Sequence, residues 1–423
     1  MSDHAVPAVR INRATPLIPW IIAAVLLAVM PFIFTNNSAI TIMNQMAITI
    51  IFALAYNMLL GQGGMLSFGH AVYAGVGGFA CMHIMNASDF FAGLPLPALP
   101  IFGGLMGMGL AMIVGAFSTR KAGTVFAMIS LGVGELIAAC SVIIVAFFGG
   151  EEGISGDRTY GLPFFGVEFL QQIDVYYLIA VWLMISAALM YLYSRTPLGR
   201  MANAVRDNPE RAEFLGYSAR WVRFYSFVAS GFFAGIAGAL FAINYEILTE
   251  ENLNTTQSGI ILLVTFLGGV GFFFGPILGA IVFTLVQTVL SLQTELWGFY
   301  LGIIFVATVM FFPGGLAGLI MMHVPAWRLG NLGRLGLPYL KTLGGGLLGC
   351  LGLAALIEMI FHVRHASLGD SEMTLFWTTF DSHAVLPWII ASIVAIVGFA
   401  IVRATSADLV EAWNDANTNE ATR

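Results

Sequence analysis

Apolar residues run along this chain in blocks of about twenty, the length a helix needs to cross the hydrocarbon core of a bilayer. The blocks fall at residues 17–34, 39–60, 64–86, 98–117, 124–148, 174–194, 224–247, 257–274, 276–292, 297–313, 343–361 and 385–403. The pattern predicts an all-α, polytopic transmembrane helical bundle of about 10–12 spans, because a helix satisfies its own backbone polar groups in lipid. One polar stretch stands apart from this pattern. Residues 194–224 read SRTPLGRMANAVRDNPERAEFLGYSARWVRF and carry Arg195, Arg200, Arg206, Arg211, Arg220 and Arg223. Pro197 suits a first helical turn, and Met201, Ala204 and Val205 then share a face, with Arg200 and Arg206 off it. Asp207, Asn208 and Pro209 break the helix, residues 210–215 allow a second short turn, and Gly216 is the residue type that closes one. The expected shape is an amphipathic hook between two spans.

Charge distribution orients the bundle. Alternation from an inside start places Arg10/Arg13, Arg120/Lys121, the hook, Arg328/Arg334/Lys341 and Arg403 on the cytoplasmic side. Glu151, Glu152, Asp157, Glu250 and Glu251 then come out on the far side, and of 17 basic residues only Arg158 and Arg364 join them. This predicts a cytoplasmic N-terminal tail over residues 1–16 and a retained first span. Composition agrees with membrane insertion: 59% of residues are hydrophobic and only 9% charged, with a mean hydropathy of +0.88, against about 25% charged in soluble domains. No polar segment is long enough for a catalytic domain. The chain has no phosphate-binding G-x-x-x-x-G-K-[ST] loop, no HExxH and no Cys/His metal cluster, so it is not expected to hydrolyse ATP or to hold a metal. Cys81, Cys140 and Cys350 lie in apolar blocks at spacings of no metal or redox motif, and read as reduced core thiols.

Within the spans, a few polar residues are candidates for chemistry. The third block begins GQGGMLSFGHAVYAGVGGF, whose glycines allow close backbone approach and an irregular start. Ser67 and His70, three residues apart, are expected on one face, either as contacts in a translocation path or as a hydrogen-bonded pair fixing a helix start. Glu135 is a carboxylate well inside an early span, and the same two readings apply to it. The loop GGEEGISGDRTYGLPFFG has a glycine framework suited to a gate or a docking surface, or to a plain solvated connection. LGGVGFFFGPILGA reads as two helices meeting at Gly275 and Pro276.

Four segments resemble the membrane-spanning permeases of ABC importers for branched-chain amino acids, in particular the LivM-like subunit. Gly61, Gly64, Leu66, Ser67, Gly69, His70, Ala71, Gly75 and Gly77 are similar to an early glycine-rich motif of that family. Gly149, Gly150 and Gly153 resemble its outer-loop motif. Pro197, Gly199, Arg200, Ala204, Arg206, Asp207, Asn208, Glu210, Ala212, Leu215 and Gly216 resemble its cytoplasmic coupling segment. Gly268, Gly269, Gly271, Gly275, Pro276, Gly279 and Ala280, with Pro313, Gly314 and Gly318, complete the likeness. Met65 stands where the family usually has glutamine.

The resemblance covers residues 17–325, implying a permease core there and a C-terminal extension over 326–423 with two further spans and a polar tail. It implies a non-enzymatic subunit of the bacterial inner membrane, forming half of a pathway for a small-molecule solute. The implied partners are a second, related permease, two cytoplasmic ATPases that use ATP and magnesium, a periplasmic solute-binding protein and the lipid bilayer, with no nucleic acid. Coupling to the ATPases would fall to Gly199, Arg200, Ala204, Arg206, Asp207, Asn208, Glu210, Ala212 and Gly216. The solute would be a branched-chain amino acid, with urea, short amides or aromatic acids as alternatives. An ion-coupled secondary transporter or a non-transporting scaffold are the readings from other classes.

Overall fold

The computed structural model describes residues 17–365, 371–375 and 378–417. The expected tail over residues 1–16 lies outside the described residues, as does the end of the C-terminal tail. Each of the twelve apolar blocks contains a helix. Among the described residues, seven helices are long and apolar enough to cross a membrane, or eight if Trp297–Phe311 and Gly315–Arg328 count as one broken span. The chain forms two compact units, the first ending at Gly318 and the second beginning at Leu319.

In the first unit the long helices are α1 (Ile18–Ile33), α2 (Asn37–Asn57), α3 (Ala71–Asn86), α4 (Leu99–Ser118), α5 (Thr124–Ile143) and α6 (Gln172–Arg195). The hook supplies α7 (Pro197–Asp207) and α8 (Pro209–Phe214). After it come α9 (Ala219–Tyr245), α10 (Thr255–Gly268), α11 (Gly275–Leu285) and α12 (Trp297–Phe311). Five-residue π turns, Met58–Gln62 and Val286–Leu290, extend α2 and α11.

Helix α9 is the centre of this unit: 78% of its most apolar window is buried, and it packs against α2, α3 and α4. Its sequence explains the fit. Gly231, Gly235 and Gly238 recur at helical spacing, and a Cβ at Gly235 would collide with the Gly103 carbonyl of α4, one at Gly238 with the Ala74 carbonyl of α3. Between apolar helices in lipid, where no hydrophobic force favours association, such backbone approach supplies the packing. Phe79, Phe126, Phe227, Leu240 and Ile243 fill the surrounding core, while Ile21, Ile22, Met128, Ile143 and Met310 point outward, as lipid-facing residues must.

Two expectations need correction. The third block has the irregular start its glycines allowed, with Gly63–His70 in extended or turn backbone and the helix beginning at Ala71, but Ser67 and His70 therefore do not share a helical face. Helix is excluded there because Gly64 takes φ +63°. Among the thiols, Cys81 is buried, Cys140 half-buried and Cys350 exposed, so Cys350 is on an outer face and not in a core.

The second unit is built from α15 (Leu332–His365) and α16 (Val385–Asn417), after the short α13 (Gly315–Met322) and α14 (Val324–Arg328). Gly345, Gly349 and Gly352 of α15 meet Gly398, Phe399 and Ala395 of α16 so closely that no side chain would fit at Gly352. Thr342 and Thr405 hydroxyls pair at 2.9 Å. A short antiparallel pair, Glu372–Leu375 with Thr378–Asp381, lies between them, where Trp388 Nε1 donates to the Ser382 carbonyl at 2.8 Å.

The glycine stripe gives a stability prediction. Gly235→Leu overpacks the α9–α4 contact and is expected to cost about 1–3 kcal/mol, read as a lower midpoint in thermal unfolding of the detergent-solubilised chain. Gly109→Ala, at a helical position with no neighbour within 4 Å, does not lower the midpoint and raises it slightly through better helix propensity.

Candidate functional site

The hook is assembled by local capping. The Thr196 side chain accepts from the Gly199 N–H at 3.2 Å, and Pro197 occupies the first turn of α7. Asn208 then ends α7 and caps α8, its Oδ1 accepting from the Arg211 N–H at 2.9 Å. Gly216, at φ +85°, lets the Tyr217 N–H reach back to the Ala212 carbonyl at 3.1 Å. Ala202, Val205 and Ala212 pack on Ala219 and Val222 at the start of α9. Gly199 lies against the Tyr193 carbonyl with no room for a Cβ.

Arg206 ties this hook to the bundle. Its Nη1 donates to the Gly61 carbonyl in the π turn after α2, and its aliphatic stem fills the space a side chain at Gly64 would need. Its Nε and Nη2 both lie 2.9 Å from Asp207 Oδ1, so Asp207 orients the guanidinium. The expected pair Arg206 and Asp207 is therefore a brace within this chain. Arg200 and Glu210 are exposed and Ala204 half-buried, and none of the three takes part in that brace. Sequence reading missed Phe214, which is 90% exposed; with Leu215, 66% exposed and part of the resembling segment, it forms an apolar tip between Arg211 and Arg220. Their position just before the closing glycine of a polar hook was the available signal.

Below the brace, Gly63–His70 runs through the protein interior, where every backbone polar group needs a partner. The Phe68 N–H donates to Ser130 Oγ of α5 at 3.1 Å and the Ala71 N–H to Ser258 Oγ of α10 at 2.9 Å. Tyr56 OH donates to the Ser67 carbonyl at 2.8 Å. Ser230 gives its one hydroxyl hydrogen to the Ala55 carbonyl at 2.6 Å, so its oxygen accepts from His70 Nε2 at 3.1 Å. Ser67 and His70 are both fully buried, and Ser67 Oγ and His70 Nδ1 are without a hydrogen-bond partner among the described residues. Glu135 is elsewhere: it sits on an exposed face of α5 and accepts from Thr255 Oγ1 at the start of α10. The three residues expected along a path are thus not brought together.

The outer loop closes the far end of α9, about 40 Å from the hook for 27 residues at 1.5 Å each. Gly149, Gly150 and Gly153 all take positive φ, and Ile154–Ser155 (β1) pairs with Ile247–Leu248 (β2). Arg158 locks this arrangement. Its Nη1 donates to the last carbonyls of α9, Ile243 at 3.2 Å and Asn244 at 3.4 Å, and its Nε to the Phe169 carbonyl at 3.1 Å. Glu246 Oε1 accepts from the Arg158 N–H at 3.0 Å. Arg158, one of two basic residues that departed from the charge rule, is accounted for as a buried helix cap. Next to it, hydrogen bonds from the Thr159 side chain and backbone hold the Asp157 carboxyl below the usual carboxylate range.

Residues 38–309 match the family described as branched-chain amino acid transport system permease component. The chain belongs to that family. It is 27% identical over 335 residues to the high-affinity branched-chain amino acid transport permease LivM of Escherichia coli K12, covering 74% of this chain and 77% of that protein. LivM of Salmonella typhimurium LT2 is also 27% identical, over 309 residues, with 68% and 71% covered. The autoinducer 2 import permease LsrC of Yersinia pestis is 29% identical over 132 residues, 29% of this chain and 38% of that protein. No solved structure matches the chain. The family match contains the hook, the buried break and the outer loop, and ends before the second unit.

Arg158 offers a test at the outer end. Arg158→Ala strips the charged cap from α9 and is expected to lower stability by about 2 kcal/mol and to speed proteolytic nicking within residues 149–170. The Arg206 brace at the other end stays intact, so nicking in the hook is unchanged.

Proposed function

We propose that this permease is the membrane-spanning subunit of an ATP-driven importer for branched-chain amino acids in a bacterial inner membrane, with its N-terminus and hook in the cytoplasm. It forms half of the pathway with a second, related permease, and takes solute from a binding protein outside. Two separate ATPases, using ATP and magnesium, drive it through the hook. The observation that carries this reading is the pairing of an anchored base with an exposed apolar tip. Arg206 fastens the hook to the Gly61 carbonyl, while Phe214 and Leu215 project into solvent between arginines and supply what a groove on a soluble motor would grip.

Force applied at that tip has a stiff route across the membrane. The hook packs on the start of α9, and α9 runs unbroken to the outer loop, where Arg158 and the Ile154–Leu248 pairing hold its far end. When the motor closes on ATP, the hook moves as a rigid body and α9 carries the displacement to the outer loop, switching access from one side to the other. In this mechanism Ser67 and His70 hold the buried break in shape, and Glu135 with Thr255 steadies α5 against α10.

The double variant Arg206→Glu with Asp207→Arg is expected to insert normally, because the exchange keeps the local ion pair, yet to lose the bond to Gly61. In the reconstituted complex, solute-stimulated ATP hydrolysis falls to the basal rate; full stimulation would overturn the lever role. Phe214→Ala is expected to weaken ATPase association about tenfold or more, the cost of a buried aromatic anchor, measured by pull-down from mild detergent.

A further inference from the structure

At the end of the bundle away from the hook, α2, α3, α9, α10 and α11 surround a cavity of about 340 Å³, at the small end of the ~300–1,000 Å³ range of ligand sites. Its wall is mostly apolar, with Ile48, Phe52, Phe241, Ile260 and Phe283 among the larger side chains. The rest is hydrogen-bonding: Gln45, Thr49, Tyr245, Asn252, Gln257 and Gln287, with Glu251 exposed at the rim. Uncharged amides inside a membrane bundle are costly unless they are used.

Here they are used only in part. Gln45 Nε2 donates to Gln287 Oε1 at 3.3 Å, leaving the Gln45 oxygen and the Gln287 amide hydrogens for another partner. Among the described residues the Gln257 side chain and the Glu251 carboxylate make no hydrogen bond or ion pair. Gln287 stands on the π turn Val286–Leu290, an irregularity that helices keep mostly at functional positions. No Lys or Arg lines the cavity, so a simple anion finds no countercharge there, whereas an ammonium group finds Glu251.

We propose that this cavity is a solute site within the single subunit, for a small zwitterion with an apolar side chain. The ammonium group is met by Glu251, the carboxylate by the amide hydrogens of Gln287 and Gln257 and the Tyr245 hydroxyl, and the side chain by Ile48, Phe52, Phe241 and Ile260. The inference rests on the transport reading above and adds to it where, on this chain, the solute is held.

The test uses the full chain in lipid nanodiscs and radiolabelled L-leucine, with 4-methylpentanoate, the same skeleton without the ammonium group, as competitor. Saturable leucine binding is expected, with the anion competing about tenfold or more weakly, as loss of a charge-assisted contact requires. Glu251→Gln narrows that gap, and Gln287→Leu or Gln257→Leu weakens leucine binding about tenfold. Gln287→Asn keeps the amide and retains part of the affinity, which guards against misreading a folding defect. Absence of saturable binding overturns the proposal, as does equal competition by the anion, or unaltered binding in monodisperse Glu251→Gln and Gln287→Leu. Leucine uptake by cells carrying the whole importer separates the two readings. Uptake that depends on this gene without nanodisc binding removes the site and leaves the transport role; binding without gene-dependent uptake does the reverse.

Discussion

A backbone that leaves its helix at membrane depth must find its hydrogen bonds inside the protein, and in this permease that constraint falls on Gly63–His70. Two distant helices serve its backbone, Ser130 of α5 at the Phe68 N–H and Ser258 of α10 at the Ala71 N–H where α3 begins, while Ser230 of α9 holds the His70 ring. The first two serines do for the break what a neighbouring turn does for an ordinary helix. The arrangement of those helices is therefore tied to one short segment, and the glycines of that segment admit no substitute. A side chain at Gly69 would strike the Ser130 carbonyl, and one at Gly64 would displace Arg206. Irregular backbone here is what joins the hook to the bundle, because the Gly61 carbonyl is free to accept from Arg206 where the π turn unwinds α2.

From that junction the molecule has two ends connected by one element. Helix α9 begins under the hook and finishes under Arg158, and its glycine face lets α3 and α4 approach along most of its length. Close glycine packing brings the backbones of these helices into direct contact, so a displacement of α9 is felt by α3 and α4. The two caps are different in kind. At the inner end a partly exposed arginine holds one carbonyl; at the outer end a buried arginine holds three, with Glu246 beside it. The inner connection is the weaker one and the one open to an outside force.

Sequence disclosed the local parts of this design and concealed the long-range ones. The limits of α7 and α8 were legible because Pro197, the Asn208–Pro209 pair and Gly216 act on their own neighbours. The helix blocks were legible because lipid demands continuous apolar length. The irregular start of the third block was legible from its glycines, but its extent to His70 was not, since that depends on the serines of distant helices. Arg158 looked like an exception to the charge rule because its partners, Ile243 and Asn244, lie 85 and 86 residues away. Glu135 was visible as a carboxylate in an apolar span, but its partner Thr255, 120 residues on, left no trace in the local sequence.

The residues that carry the family likeness in the hook are mostly those that give it shape. Gly199 has no room for a side chain, Ala212 is buried in the hook's own core, Asn208 caps, and Gly216 turns the chain at positive φ. Arg206 reaches the Gly61 carbonyl of the bundle, and the exposed Asp207 orients its guanidinium. In the proposed importer, contact with a motor then falls on the exposed tip, Phe214 above all, whose nearly full exposure leaves its ring contributing little to the packing of the hook itself. A shape shared across a family can thus be held by one group of residues while partner choice is set by another, two or three positions away on the same turn. The tip is free to vary with the motor it meets, whereas a change at the brace alters the lever whatever motor is bound.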